Sequence, residues 1–340
     1  MADAGQIMFG PIGREVLGFA QILFLVFVMG SHVLTFSIMM NTLTGHGACS
    51  IIFGVIGMVI CLLFTLFRKM GDVSYLAIGS FISIIGAVMV TMVGVSIERP
   101  GTGEVELTVH NSLYKGFLGV TNIIFAYSGH VAFFGFISEL KDPRTYPKAL
   151  YLLQGCDTSM YLIVAVVIYR YAGEGVASPA LGSTSPLLAK IAYGVAIPTI
   201  IIAGVINGHV AAKYIYVRLF RGTDRMSKKS VFSYGMWALI SLILWTIAWI
   251  IAEAIPVFND LLGIISALFA SWFTFGLSGL FWLFINKGRY TETRKKMFLT
   301  GLNTTICVIG IFIVRLSPPL PWRACINHCL PVYSRPVCVW

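Results

Sequence analysis

The sequence predicts an all-α polytopic membrane protein. Three observations carry that prediction: scarce charge, apolar residues grouped in long blocks, and basic residues confined to alternate loops. Asp, Glu, Lys and Arg make up 11% of the 340 residues, and hydrophobic residues make up 57%. A soluble domain carries about 25% charged residues, so this chain lacks the groups to cover a water-facing surface. Its apolar blocks approach the ~20 residues that a membrane-crossing helix needs. The alternating segments of about 10 residues that mark a transmembrane barrel are absent from the sequence.

Nine spans are expected. The first, 16–38, has too long an apolar run for a cleavable signal peptide and lacks a small-residue cleavage site. The second, 49–67, ends at Arg68 and Lys69, and the third, 75–97, ends at the loop "ERPGTGEVELTVHNS". The fourth, 116–137, stops at the mixed-charge, proline-bearing "ELKDPR", and the fifth, 149–171, at "AGEGVASPALGSTSP". The sixth, 187–210, leads into a basic cluster, and the seventh, 231–252, stops at "AIPVFND". The eighth and ninth are 261–285 and 297–314. Glycine and serine inside these spans suit close helix packing in lipid. The two loops rich in breakers and small polar residues read as helix connections.

The net charge of +10 could suit a nucleic-acid surface, but its placement argues for topology. Arg14, Arg68, Lys69, Lys141, Arg144, Lys148, the cluster from Lys213 to Lys229 and the cluster from Lys287 to Lys296 all fall on one side. The opposite loops hold only Arg99, Lys115, Arg170 and Lys190, with Glu98, Glu104, Glu106 and Glu174. This is the positive-inside pattern, and it puts the N-terminus in the cytoplasm. No nucleic-acid partner is expected.

Cys49, Cys61, Cys156 and Cys307 lie in or beside spans and read as packing residues. Cys325, Cys329 and Cys338 sit in a tail where five prolines in 24 residues exclude a helix interior. That tail, 315–340, reads as a natural irregular end or as a mistranslated one. Its "CINHC" lacks the paired spacing of a zinc site, so no metal is expected. No His-Glu-x-x-His, phosphate loop, Gly-x-Ser-x-Gly or intramembrane carboxylate pair occurs, which excludes the common enzyme classes.

The functional signal lies in "NIIFAYSGHVAFFGFISELKDPRTYPKAL". An ionisable group in mid-membrane costs about 3 kcal/mol or more when charged, so such residues face a bundle interior or a water-filled cavity. Gly129 beside Ser128 marks a place where the helix can unwind, because glycine weakens a helix by about 1 kcal/mol relative to alanine. Backbone groups freed there must be met by protein, water or ligand. A zwitterionic amino acid matches them, its carboxylate at helix N-terminal amides and its ammonium at C-terminal carbonyls. His130 is then a pocket wall or a proton carrier. The alternative is a neutral histidine hydrogen-bonded between helices, and the residues alone weigh these readings evenly. His32, behind Ser31 in "MGSHVLTF", falls near mid-span with Thr35 one turn along, while His209 beside Gly204 and Gly208 reads as structural. Glu139 and Asp260 are gate candidates against simpler interfacial and capping roles. Glu253 and Asn259 flank the same outer-mouth segment as Asp260.

At these residues the chain resembles the amino acid/auxin permease family, in particular its fungal branch of neutral amino acid permeases. "SHVLTFSIMMNTLTGHG", "FAYSGHVAFFGFISELKDPRTYPKAL", "GVINGHVAAKYIYVRLFRG" and "IPVFNDLLGIISALFASWFTFGLSGLFWL" carry the resemblance, which covers most of 1–314. The resemblance implies a fold like the bacterial leucine transporter, two inverted repeats of five helices plus one more, here without the first two helices. It makes 116–137 the broken helix, with Phe125, Ala126, Tyr127, Ser128 and Gly129 around the substrate and Ser31 and Thr35 toward the pocket. His130 and His32 become candidates for proton coupling. It implies symport of neutral amino acids driven by a proton gradient, with no bound cofactor, in the plasma membrane. A different class stays open at this stage: a non-transporting, truncated permease that senses amino acids or regulates a full-length partner.

Overall fold

A computed structural model of the chain describes residues 1–68, 70–101, 112–223 and 230–316. Lys69, Glu104, Glu106, Arg225, Lys228, Lys229 and the tail with Cys325, Cys329 and Cys338 lie outside the described residues. Among the described residues all regular structure is helical. The helices are α1 (Ala2–Thr44), α2 (Ser50–Thr65), α3 (Met70–Glu98), α4 (Leu113–Ala126), α5 (Phe133–Glu139) and α6 (Tyr146–Ala172). They continue with α7 (Pro186–Phe220), α8 (Val231–Ala254), α9 (Phe258–Ile265), α10 (Leu277–Ile285) and α11 (Arg294–Leu316).

Seven helical stretches are long and apolar enough to cross a membrane, counting α9 through α10 as one stretch of 28 residues. The remaining two expected spans take other forms. Gly116–Ala126 and Ser128–Ser138 form a pair bent by 42°. Helix α2 has 16 residues, about 24 Å at 1.5 Å per residue, against a hydrocarbon core of about 30 Å. Large apolar side chains point outward on many helices: Ile82 is 66% exposed, Ile123 64% and Phe298 71%. Water would penalise such a surface, and acyl chains do not.

The chain divides into two compact units. Unit 1 comprises residues 1–27, 112–136 and 259–316 of the described chain. Near its start Gly10 has φ 70° and ψ −159°, and Pro11 follows inside α1. Only glycine takes that conformation cheaply, and proline removes a helical donor, so the axis kinks there. Leu17, Phe24, Leu25, Ile124, Leu261, Ile265, Phe273 and Leu277 are buried in this unit. Between α9 and α10 the hydrogen bonding widens to two π-helical turns, Ser266–Ala270 and Trp272–Gly276. The α9–α10 stretch meets its neighbours closely. A Cβ on Gly310 of α11 would stand 2.7 Å from the Gly276 nitrogen, and one on Gly279 would stand 2.6 Å from the Asn303 carbonyl oxygen. Backbone therefore touches backbone there, the small-residue packing that lipid-embedded helices use.

Unit 2 comprises the rest of α1, α2, α3, α6, α7 and α8. Phe36, Met39, Ala87, Tyr193, Ala196 and Ile200 form its main core cluster. Polar bonds cross between its helices: Ser80 Oγ donates to Thr199 Oγ1 at 2.9 Å and Ser83 Oγ to the Val195 carbonyl at 2.6 Å. The end of α2 is tied to α8 through Thr65. Its carbonyl accepts from Trp237 Nε1 and its hydroxyl from Trp245 Nε1, both at 3.0 Å.

Candidate functional site

Helix α4 ends at Ala126, Tyr127 turns at φ −98° and ψ 10°, and Ser128–Ala132 continue as a 3₁₀ helix before α5 begins. Sequence reasoning expected an unwound gap at 125–130 centred on Gly129. The structure corrects its form. Residues 125 and 126 remain α-helical, and 128–132 tighten rather than unwind. Gly129 keeps an ordinary φ, so glycine's special conformations are not what breaks the helix. Two polar side chains help instead, by bonding back to the preceding turn. Ser128 Oγ donates to the Phe125 carbonyl at 2.7 Å, and His130 Nδ1 donates to the Tyr127 carbonyl at 3.2 Å. Such local bonds compete with the regular ladder. What Gly129 does supply is room, since a Cβ placed there would meet nothing within 4 Å.

The break is braced within unit 1 from two directions. Gln21 of α1, 6% exposed, donates through Nε2 to the Val131 carbonyl at 3.3 Å, and its Oε1 is buried without a hydrogen bond among the described residues. Phe24, one turn along α1, meets Phe273 edge-on at 6.1 Å, and Phe27 meets Phe269 at 5.8 Å. The Phe273 carbonyl faces the His130 ring from the second π turn. His130 Nε2, Ser266 Oγ and Thr274 Oγ1 are also buried without a hydrogen bond of ordinary geometry among the described residues. Buried polar atoms are normally satisfied. Several left open around one broken helix and a pair of π turns, a feature common at functional sites, make this the best-supported ligand site in unit 1.

Of the other expected site residues, all but Asp260 belong to unit 2. Ser31 Oγ donates to the Val28 carbonyl at 2.8 Å and Thr35 Oγ1 to the Ser31 carbonyl at 2.7 Å, so both hydroxyl protons are committed to α1 itself. The half-buried His32 packs where a Cβ on Gly204 would come within 3.1 Å of its own Cβ, and its ring faces the Ile200 carbonyl. His209 is fully buried against Trp237, with ring centroids 5.1 Å apart. That is the structural role expected for it. Of the gate candidates, Asp260 lies half-buried in the first turn of α9, where an acid complements the helix dipole. Glu139 closes α5, and its side chain lies outside the described residues.

Sequence reasoning missed Gln21 and Phe273. Gln21 left a readable trace as the lone amide in "LGFAQILFLVF", but it was absorbed into the apolar run. Phe273 stands among the aromatics of "LFASWFTFGLSGLFWLF", whose helical spacing reads as lipid-facing or core. It is indeed buried, yet its backbone carbonyl is the relevant group, and no sequence pattern announces a π turn.

A family model for "Transmembrane amino acid transporter protein" matches residues 2–319. The chain belongs to this transmembrane amino acid transporter family. Membership makes it an integral membrane transporter of amino acids and not an enzyme. It is 37% identical over 326 residues to the N amino acid transport system protein of Neurospora crassa, covering 93% of this transporter and 69% of that protein. It is 32% identical to a transmembrane transporter of Gibberella moniliformis over 92% of its own length and 68% of the relative's. A plant relative, amino acid transporter AVT1D of Arabidopsis thaliana, is 27% identical over 189 residues. In this transporter the broken helix and the π turns leave several buried polar atoms without a hydrogen bond among the described residues.

Proposed function

We propose that the chain carries neutral amino acids, aliphatic or aromatic, by proton-coupled symport, with alternating access around the broken segment 116–137. The observation that carries the reading is the 42° break at Tyr127 with His130 in the 3₁₀ turn that follows it. The substrate's ammonium would take carbonyls released at the end of α4, and its carboxylate the amides at the start of the 3₁₀ turn. Gly129 is exposed and a Cβ there would meet nothing within 4 Å, which leaves room for the Cα portion, and this reading takes Phe125 and Tyr127 as its neighbours. His130 supplies the coupling. In the neutral ring, Nδ1–H serves the Tyr127 carbonyl and Nε2 carries an unbonded lone pair, with the Phe273 carbonyl near the ring. A proton on Nε2 turns that lone pair into a donor, and the ring then bridges two carbonyls. Proton arrival thus ties the broken helix to the π turns, and proton loss releases it.

The same reading takes the full architecture to be nine crossings arranged as inverted repeats, with the N-terminus inside and the plasma membrane as the site of residence. Ser31, Thr35 and His32 complete the pathway, and Glu139 and Asp260 act at its two mouths. The decisive measurement is uptake of labelled neutral amino acids by a permease-deficient cell expressing this chain, as a function of external pH. The expected result is accumulation that strengthens as the medium is acidified in wild type, and loss of that pH dependence in His130→Gln with protein still at the membrane. Uptake with an unaltered pH profile in His130→Gln refutes the proton role, and no accumulation at any pH refutes transport by this chain.

A further inference from the structure

Unit 2 contains a polar cavity that the proposed pathway does not use. It has a volume of about 140 Å³ and opens among the C-terminal halves of α1 and α8 and the first turns of α2, with Ser37, Asn41, Ser50, Gly54 and Glu253 in its wall. Glu253 stands in the last turn of α8 and is half-buried. Its Oε1 accepts from Trp249 Nε1 at 3.2 Å, and no cationic side chain pairs with it among the described residues. Gly54 makes room for that carboxylate: a Cβ there would lie 2.6 Å from Glu253 Oε1.

Donors and acceptors in this wall do not balance. Asn41 Nδ2 is spent on Ser50 Oγ at 2.8 Å, Ser37 Oγ on the Ser50 carbonyl at 2.9 Å, and the Trp249 indole on Glu253. Among the described residues two acceptors are left over, Asn41 Oδ1, buried and unbonded, and the second carboxylate oxygen of Glu253, against one donor, the exposed Ser50 hydroxyl, which only accepts from Asn41. A carboxylate held in largely apolar surroundings without a counter-charge is costly. We infer that this cavity binds a compact monovalent cation, either an alkali ion or a primary ammonium group, on Glu253 and Asn41. One carboxylate with neutral oxygens suits a single charge, whereas calcium and magnesium sites recruit more oxygens and more negative charge. The volume is well above the ~10–15 Å³ of such space that one water needs, so it accommodates a small cation with its remaining hydration.

The site can be tested by binding alone, independently of transport. The full chain is purified into lipid nanodiscs in N-methylglucamine chloride, whose cation is too bulky for the cavity. Sodium, potassium or methylammonium then replaces it at constant ionic strength while the thermal unfolding midpoint is followed. The expected result is a saturable rise in the midpoint of wild type. Glu253→Gln should unfold at or above the wild-type temperature in N-methylglucamine, because it removes an unpaired charge, and should show no saturable rise. Gly54→Ala, which keeps the charge but displaces the carboxylate, should need at least about tenfold more cation. A response to sodium or potassium names an alkali ion as the occupant, and a response to methylammonium alone names an ammonium group. The inference is overturned if no cation moves the wild-type midpoint saturably, or if Glu253→Gln responds as wild type does.

Discussion

Thr65→Val keeps the shape of the side chain and deletes the one oxygen on which unit 2 hangs a buried indole. Thr65 and Trp245 are both fully buried, and Thr65 Oγ1 accepts from Trp245 Nε1 at 3.0 Å while donating to the Cys61 carbonyl at 2.7 Å. The bond from Trp237 goes to the Thr65 carbonyl and survives the substitution. The Cys61 carbonyl keeps its place in the helical ladder, so the lasting loss is a stranded indole N–H. Stranding a buried donor costs about 1–3 kcal/mol, whereas measured polar contacts between membrane helices average about 0.6 and reach about 1.7 kcal/mol. We therefore expect Thr65→Val to lower the unfolding free energy by about 1–1.5 kcal/mol. Trp245→Phe removes the donor, so the double variant has nothing stranded and should show a coupling energy near 1 kcal/mol. Reversible unfolding in mixed detergent micelles measures all three variants against wild type. Values for Thr65→Val within a few tenths of wild type, or a cycle additive within ~0.3 kcal/mol, would refute the reasoning.

Other predictions separate positions that look alike in sequence. Gly310→Ala pushes a methyl against the Gly276 backbone, which has no side chain to swing away, and should cost about 1–3 kcal/mol. Gly301→Ala in the same helix meets nothing within 4 Å and should be neutral or stabilising in the same unfolding assay. Gly129→Ala should leave folding unchanged, whereas Gly10→Ala must place a side chain at φ 70° and should cost about 1–3 kcal/mol. Gln21→Leu should slow uptake severalfold while the amount of folded transporter in the membrane is unchanged. It loses the Val131 bond but also removes an unbonded buried oxygen, so stability should move by less than about 1 kcal/mol.

The helices were legible in the sequence because lipid imposes one requirement, an apolar surface of sufficient length, and the apolar blocks answer it directly. Helix α2 was expected at membrane length because composition does not reveal where a chain stops being helical. The break at Tyr127 was legible as a region and misjudged in form. Ser128, Gly129 and His130 advertise a weak point, but whether the backbone opens or tightens depends on which carbonyls the hydroxyl and imidazole reach. Those partners, Phe125 and Tyr127, are set by three-residue geometry that composition does not encode. The π turns near Phe273 were illegible for the same reason. Gln21 was visible but lacked a nearby polar neighbour in sequence, since its partner Val131 is 110 residues away.

Where Gly276 and Gly310 meet, there are no rotamers to rearrange and no soft atoms to compress. Such a joint can pivot, but it cannot be compressed, and parting it would forfeit close contacts along both backbones. A movement that carries the π turns in a working cycle would therefore drag α11 along as a rigid passenger, and a pair of probes placed across that joint should report constant spacing while the rest of the stroke proceeds.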